Sequence, residues 1–273
     1  NEIPSNVKRH LTEPPYYAFW RYLNPRLQSL KDNSGTKIIG LAGGIGSGKT
    51  TIIDMLEAEG AYCIKYDVIG IKVRDADKKA EVIKVFGEGI LNNMGNIDSG
   101  KLRGIVFFDR NKLQALNNIL FPAMNRLAYQ EILIALERNY RLIVIEGAVL
   151  FQSGIQEILD YVWGVTAEES VVFKRKKNLY TPEEIRAIRQ MQYSPEQLKE
   201  NVDWLIDNNQ TEEKLAESVK NLLRRSFASL PAGEAGSPLE KWPLYPFNNA
   251  LGKGGAYLKD IPREVISIAH QYQ

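Results

Sequence analysis

An α/β fold with a mostly parallel five-stranded sheet between helices is predicted by two features of the sequence. Five short β-rich runs alternate with longer helical patterns, and a glycine loop joins the first run to a helix. Parallel strands need crossover connections, and those crossovers place helices on both faces of the sheet. The first run, Lys37 to Ala42, leads into Gly43-Gly44-Ile45-Gly46-Ser47-Gly48-Lys49-Thr50, and the helix that follows covers Thr50 to Glu59. This is a complete phosphate-binding P-loop in its required order of strand, loop and helix. Its glycines allow positive φ and close backbone approach, so successive N–H groups and the helix N-terminus surround phosphate oxygens. Lys49 is placed to reach the β- and γ-phosphates, and the Thr50 hydroxyl to ligate Mg²⁺.

The remaining runs are Ala61 to Ile64, Arg141 to Glu146, Tyr161 to Val165 and Asp203 to Ile206. Apolar residues at helical spacing extend from Asn111 to Arg138, within a mainly helical insertion at about 70–140 that is expected to bind the phosphoryl acceptor. Thr181-Pro182-Glu183-Glu184 reads as a helix start, with proline at the first helical position and carboxylates in the first turn. The charge run Lys174-Arg175-Lys176-Lys177 just before it is either a solvated face or part of a phosphate-closing lid spanning about 170–200. The ligand site is expected at the carboxyl end of the first strand, where open α/β sheets bind their ligands.

The kinase-like core is bounded at 37–228 by two unlike ends. Residues 1–36 are rich in proline and aromatics, and residues 229–273 carry Pro231, Pro238, Pro243, Pro246 and Pro262 with many glycines. Neither shows a clear core-forming period. Trp20, Trp242, Tyr245, Phe247 and Tyr257 make them too aromatic for ordinary linkers, so both are expected to dock, either on their own domain or on a protein partner.

Composition narrows the chemistry. The chain of 273 residues is 44% hydrophobic, enough for a full α/β core, and its 35 basic and 33 acidic residues give a net charge of +2. That balance argues against bulk affinity for nucleic acid or membranes. The single cysteine, Cys63, excludes an internal disulfide framework and suits a small buried role in a strand. The histidines, His10 and His270, lie outside the core, so a histidine triad or metal cluster is not expected. No apolar run reaches the ~20 residues that span a bilayer. The sequence starts at Asn1, as a processed form, a fragment or a late start would; removal of an import signal would fit a mitochondrial location, with the cytoplasm as the alternative.

From Lys37 to about Phe227 the sequence resembles the dephospho-coenzyme A kinases, including the kinase domain of animal bifunctional coenzyme A synthases. The resemblance rests on Gly40-Leu41-Ala42 with the P-loop through Thr51, Gly60-Ala61 leading to Asp67, Phe86-Gly87, Ile90-Leu91 and Gly95-Asn96-Ile97-Asp98. It continues through Ile105-Val106-Phe107, Phe121-Pro122, Ala148-Val149-Leu150-Phe151-Gln152-Ser153-Gly154, the Arg186 to Gln190 spacing, and Asp203-Trp204-Leu205-Ile206-Asp207-Asn208. It implies transfer of the γ-phosphoryl group of ATP to the ribose 3′-hydroxyl of dephospho-coenzyme A, with Mg²⁺. In that scheme Asp67 is the catalytic aspartate, Lys49 and Arg175 stabilise transferred charge, with Lys176 or Lys177 as alternatives to Arg175, and nucleotide is held by Gly43, Gly44, Ile45, Gly46, Ser47, Gly48, Lys49, Thr50, Thr51 and Asn208. Glu146 holds Mg²⁺ through water or serves only as a solvated strand end. Asp67 itself has the plainer reading of a loop-capping aspartate.

The chain departs from the family pattern on the acceptor side. Lys65-Tyr66-Asp67 stands where an Asp-x-Asp pair is common, Ser99 where an arginine usually stands, Phe121 in place of histidine before proline, and Gln152 in place of glutamate. These changes, with the aromatic ends, give a second reading: an impaired nucleotide-binding subunit retained in a larger assembly.

Overall fold

In the computed structural model, strand β1 (Lys37–Gly43) is the centre of a five-stranded sheet. It pairs with β3 (Leu142–Glu146) and β4 (Tyr161–Thr166), while β2 (Tyr62–Lys65) and β5 (Trp204–Asp207) form the edges, giving the order β2-β3-β1-β4-β5. Every pairing is parallel, so the expected mostly parallel sheet is wholly so among the described residues, which are 16–106, 109–190 and 192–227. His10, His270, Phe107 and the aromatic residues of 229–273 lie outside them. No helix of the described residues is long and apolar enough to cross a membrane.

The central strands are buried on both faces, which is why they read as continuous apolar runs. The two-residue period of β structure sends Ile38, Ile143 and Ile145 into one core layer and Ile39, Leu142 and Val144 into the other. The second layer is closed by α2 (Lys49–Ala58) and α11 (Glu212–Phe227), through Ile52, Ile53, Leu56, Leu215, Val219 and Leu223.

The first layer holds a correction to the sequence reading. Residues Tyr16–Ser34 form helix α1, with Tyr16, Phe19, Trp20, Leu23, Leu27 and Lys31 buried at helical spacing. Trp20 and Leu27 are fully enclosed, so this half of the N-terminal segment completes the core instead of resting on its surface. The period was obscured by Pro25 inside the helix, a residue that normally costs an interior hydrogen bond.

The insertion comprises α3 (Tyr66–Asp75), α4 (Lys79–Phe86), α5 (Ser99–Val106) and α6 (Arg110–Glu137). Asp109 caps α6 by accepting from the Asn111 and Lys112 amides. Val82, Ile90, Ile97, Leu102, Val106 and Leu116 give the insertion a small core of its own. After β3 come the short α7 (Leu150–Ser153) and a 3₁₀ turn (Ile155–Ile158). The segment expected to form the lid holds α8 (Glu169–Lys176), α9 (Pro182–Gln190) and α10 (Pro195–Asn201), the last begun by a Ser194/Gln197 capping box.

Candidate active site

The P-loop leaves the carboxyl end of β1 and enters α2 at Lys49, so its amides lie at a positive helix end beyond the sheet edge. Gly48 takes φ 106°, and a Cβ there would lie 1.9 Å from Asn208 Nδ2; only glycine meets both conditions. Asn208, just past β5, donates through that same Nδ2 to the Ser47 carbonyl at 2.7 Å and thereby ties the β5 end to the loop.

Lys49 is folded back over the loop. Its Nζ donates to the Gly43 carbonyl at 2.9 Å and the Gly44 carbonyl at 3.4 Å, and lies 3.5 Å from Glu146 Oε1. Strand register sets the last contact, because Glu146 pairs with Leu41 on one side and Lys65 on the other. Burial raises the Glu146 carboxyl above its usual range; Lys49 opposes this and Asp67 adds to it.

Asp67, in the first turn of α3, accepts the Ala148 amide on both carboxylate oxygens at 3.2 Å. Burial raises its carboxyl above the ordinary value, while the Ala148 N–H and the Lys49 charge oppose the rise. Asp67, Glu146 and Lys49 therefore form one electrostatic group at the ends of neighbouring strands.

Arg175 closes the other side. Its Nη1 donates to the carbonyls of Gly46 at 3.1 Å and Ser47 at 3.3 Å, and its Nη2 donates to the Asn208 carbonyl at 3.0 Å. Of the four basic residues in that run, Arg175 is the one that grips the loop. With Lys176, Asn208 and the P-loop it lines a cleft of about 490 Å³ that also reaches Thr50, Thr51 and Gln210. A second cleft of about 310 Å³ opens on the far side of Gly44 and Ile45, lined by Arg186, Arg189, Gln192 and Tyr193 among others.

Gln192 is the site residue missed in the sequence. Its Oε1 accepts the Ile45 amide at 2.8 Å, linking the lid to the P-loop. No motif marked it, since the pairing spans 147 positions and exists only after folding. The departures are also accounted for locally: Lys65 pairs with Glu57 at 4.0 Å, Ser99 Oγ accepts from Arg74 at 2.7 Å, and Phe121 packs edge-on against Tyr16 at 5.1 Å. Gln152 Oε1 is buried without a hydrogen-bond partner among the described residues.

Of the residues assigned from the sequence, Gly44 to Thr51, Arg175 and Asn208 line the P-loop cleft, while Glu146 and Asp67 lie outside its lining and connect to it through Lys49. The donor set suits a polyphosphate: Ser47 Oγ is buried and unpartnered, the loop stands at a helix N-terminus, and Lys49, Arg175 and Lys176 supply positive charge, although the Ile45 amide is taken up by Gln192 and the Ser47 amide by the Gly44 carbonyl. Among the described residues no group of three or more His, Cys, Asp or Glu forms a metal cage.

Fold and site together define a P-loop kinase. A family profile described as dephospho-CoA kinase matches residues 37–214. A dephospho-CoA kinase from Oceanobacillus iheyensis is 30% identical over 194 residues, 70% of this chain and 98% of that one. One from Chlorobium chlorochromatii is 33% identical over 193 residues, 68% of this chain and 91% of that one. A solved structure from Thermus thermophilus superposes with a TM-score of 0.60 at 27% identity, covering 70% of this chain and 97% of that one. The chain belongs to the dephospho-CoA kinase family.

Proposed function

We propose that the protein transfers the γ-phosphoryl group of ATP to the ribose 3′-hydroxyl of dephospho-coenzyme A, the last step in making coenzyme A. The observation that carries this reading is the convergence of Asp67, Glu146, Lys49 and Arg175 on one P-loop, in a chain of this family.

In the reaction, ribose O3′ forms a bond to the γ-phosphorus as the bond to the β–γ bridging oxygen breaks, and the hydroxyl proton passes to Asp67. A carboxyl raised by burial holds that proton more readily than a solvated one. The Ala148 amide fixes its orientation through both oxygens. Lys49, once turned from the Gly43 carbonyl, balances charge on the phosphates, and Arg175 does so from the lid side. Asn208 and Gln192 tie the loop backbone in place, so the main rearrangement left for the reacting state is the turn of Lys49. Mg²⁺ bound with the nucleotide would neutralise phosphate charge, with the Thr50 hydroxyl as the residue that would hold it and Glu146 reaching it only through water.

The largely apolar cleft on the other flank of the P-loop carries Arg186 and Arg189 at its wall, and a phosphorylated ligand there would draw Arg186 from its ion pair with Glu169. Nothing in the comparisons favours the reading of an impaired structural subunit. Incubation with Mg·ATP and dephospho-coenzyme A, followed by mass analysis, tests the proposal: coenzyme A should accumulate, and ADP without coenzyme A would reject this acceptor.

A further inference from the structure

We propose that helix α1 is a positioning element of the phosphoryl-transfer site, fixing the segment that holds Asp67 through Tyr17 and Asn24. The inference rests on the phosphotransfer reading above. Helix α1 precedes the family match, which begins at residue 37.

Two routes run from α1 to Asp67. In the first, the Tyr17 hydroxyl donates to the Phe151 carbonyl in α7, and Asn24 Nδ2 donates to the Glu157 carbonyl at 2.8 Å. Arg21 Nη2 adds an ion pair to Glu157 Oε1 at 3.3 Å. Gly154 takes φ 80°, and a Cβ on it would sit 3.0 Å from Tyr17 Cγ, so the ring lies directly against the backbone. The first of these contacts, at Phe151, lies three residues beyond Ala148, whose amide holds both Asp67 oxygens.

In the second route, Asn125 Nδ2 donates to the Ser153 carbonyl at 3.1 Å and the Tyr16 carbonyl at 3.4 Å, while its Oδ1 accepts the Tyr66 hydroxyl. Tyr66 is the neighbour of Asp67 and is fully buried. Helix α1 thus meets the segment after Ala148 through its polar side chains and, through the Tyr16 carbonyl and Asn125, the helix that carries Asp67.

A merely structural role would reside in the apolar face, where Trp20, Leu23 and Leu27 fill the core. Tyr17→Phe and Asn24→Ala leave that face intact and remove only the polar ties. The geometric argument predicts a fall in kcat of roughly tenfold or more for the double variant, with KM for ATP within about twofold of wild type. Backbone amide exchange should quicken across 147–154 and stay unchanged across 43–51.

Unchanged kcat together with unchanged exchange at 147–154 would overturn the inference, as would acceleration spread evenly over the whole domain. A wild-type protein without acceptor-dependent turnover counts against the phosphotransfer reading instead. The exchange pattern then still decides whether α1 sets the Asp67 geometry. If the double variant fails to fold, Tyr17→Phe alone is read in the same way.

Discussion

Lys49 Nζ lies 3.5 Å from Glu146 Oε1, so the P-loop cation is held at the end of β3 by a carboxylate that is itself mostly enclosed. Each group compensates the other's desolvation. Lys49→Ala is expected to remove triphosphate binding and all measurable turnover. Glu146→Gln keeps the shape but loses the charge, and a fall in kcat on the order of 100-fold is expected. Equilibrium titration with ATP alongside steady-state kinetics separates the two variants: binding is lost in the first and largely kept in the second.

Asp67→Asn is expected to lower kcat by roughly 10³-fold while leaving ATP affinity within about twofold. The raised carboxyl also fixes a stability sign. The folded state binds the Asp67 proton more tightly than the unfolded chain does, so this contribution is complete below the ordinary carboxylate value and is lost as pH rises through the raised value. At neutral pH the native charge therefore opposes folding, and Asp67→Asn should melt higher than wild type there, with the gap closing in acid. Melting curves at several pH values check this; a lower melting temperature at neutral pH would contradict it.

Arg175 grips three backbone carbonyls with a planar fork that lysine cannot reproduce. Arg175→Ala and Arg175→Lys are both expected to cost about 10²-fold or more in kcat, with lysine rescuing little. Neighbouring Lys177 lies outside the P-loop cleft, and Lys177→Ala should stay near wild type. Equal losses at the two positions would assign the effect to general lid charge.

Trp20→Ala is expected to destabilise the domain by about 3–5 kcal/mol, since it empties a fully enclosed site. Chemical denaturation measures the loss, and a change below about 1 kcal/mol would show that α1 does not belong to the cooperative core.

Much of this architecture was legible because its signals are local. The runs read as strands from Lys37, Ala61, Arg141, Tyr161 and Asp203 lie within a residue or two of the observed strands, because buried parallel strands leave unbroken apolar stretches. The P-loop was legible for the same reason: one octapeptide carries both its geometry and its chemistry. Helix α1 was not, because Pro25 and its aromatic composition mask a regular buried period. Nor were the Gln192–Ile45 and Ala148–Asp67 hydrogen bonds, which join residues far apart in sequence. The packing of Phe121 against Tyr16 was equally hidden, because it joins the insertion to a helix more than a hundred positions away.

The most direct test of the central claim is acceptor-dependent ADP release from Mg·ATP, measured for the full chain with and without dephospho-coenzyme A and beside Lys49→Ala as a blank. Release that requires dephospho-coenzyme A and vanishes in the variant is the predicted result. Tight ATP binding with no release above that blank would contradict it.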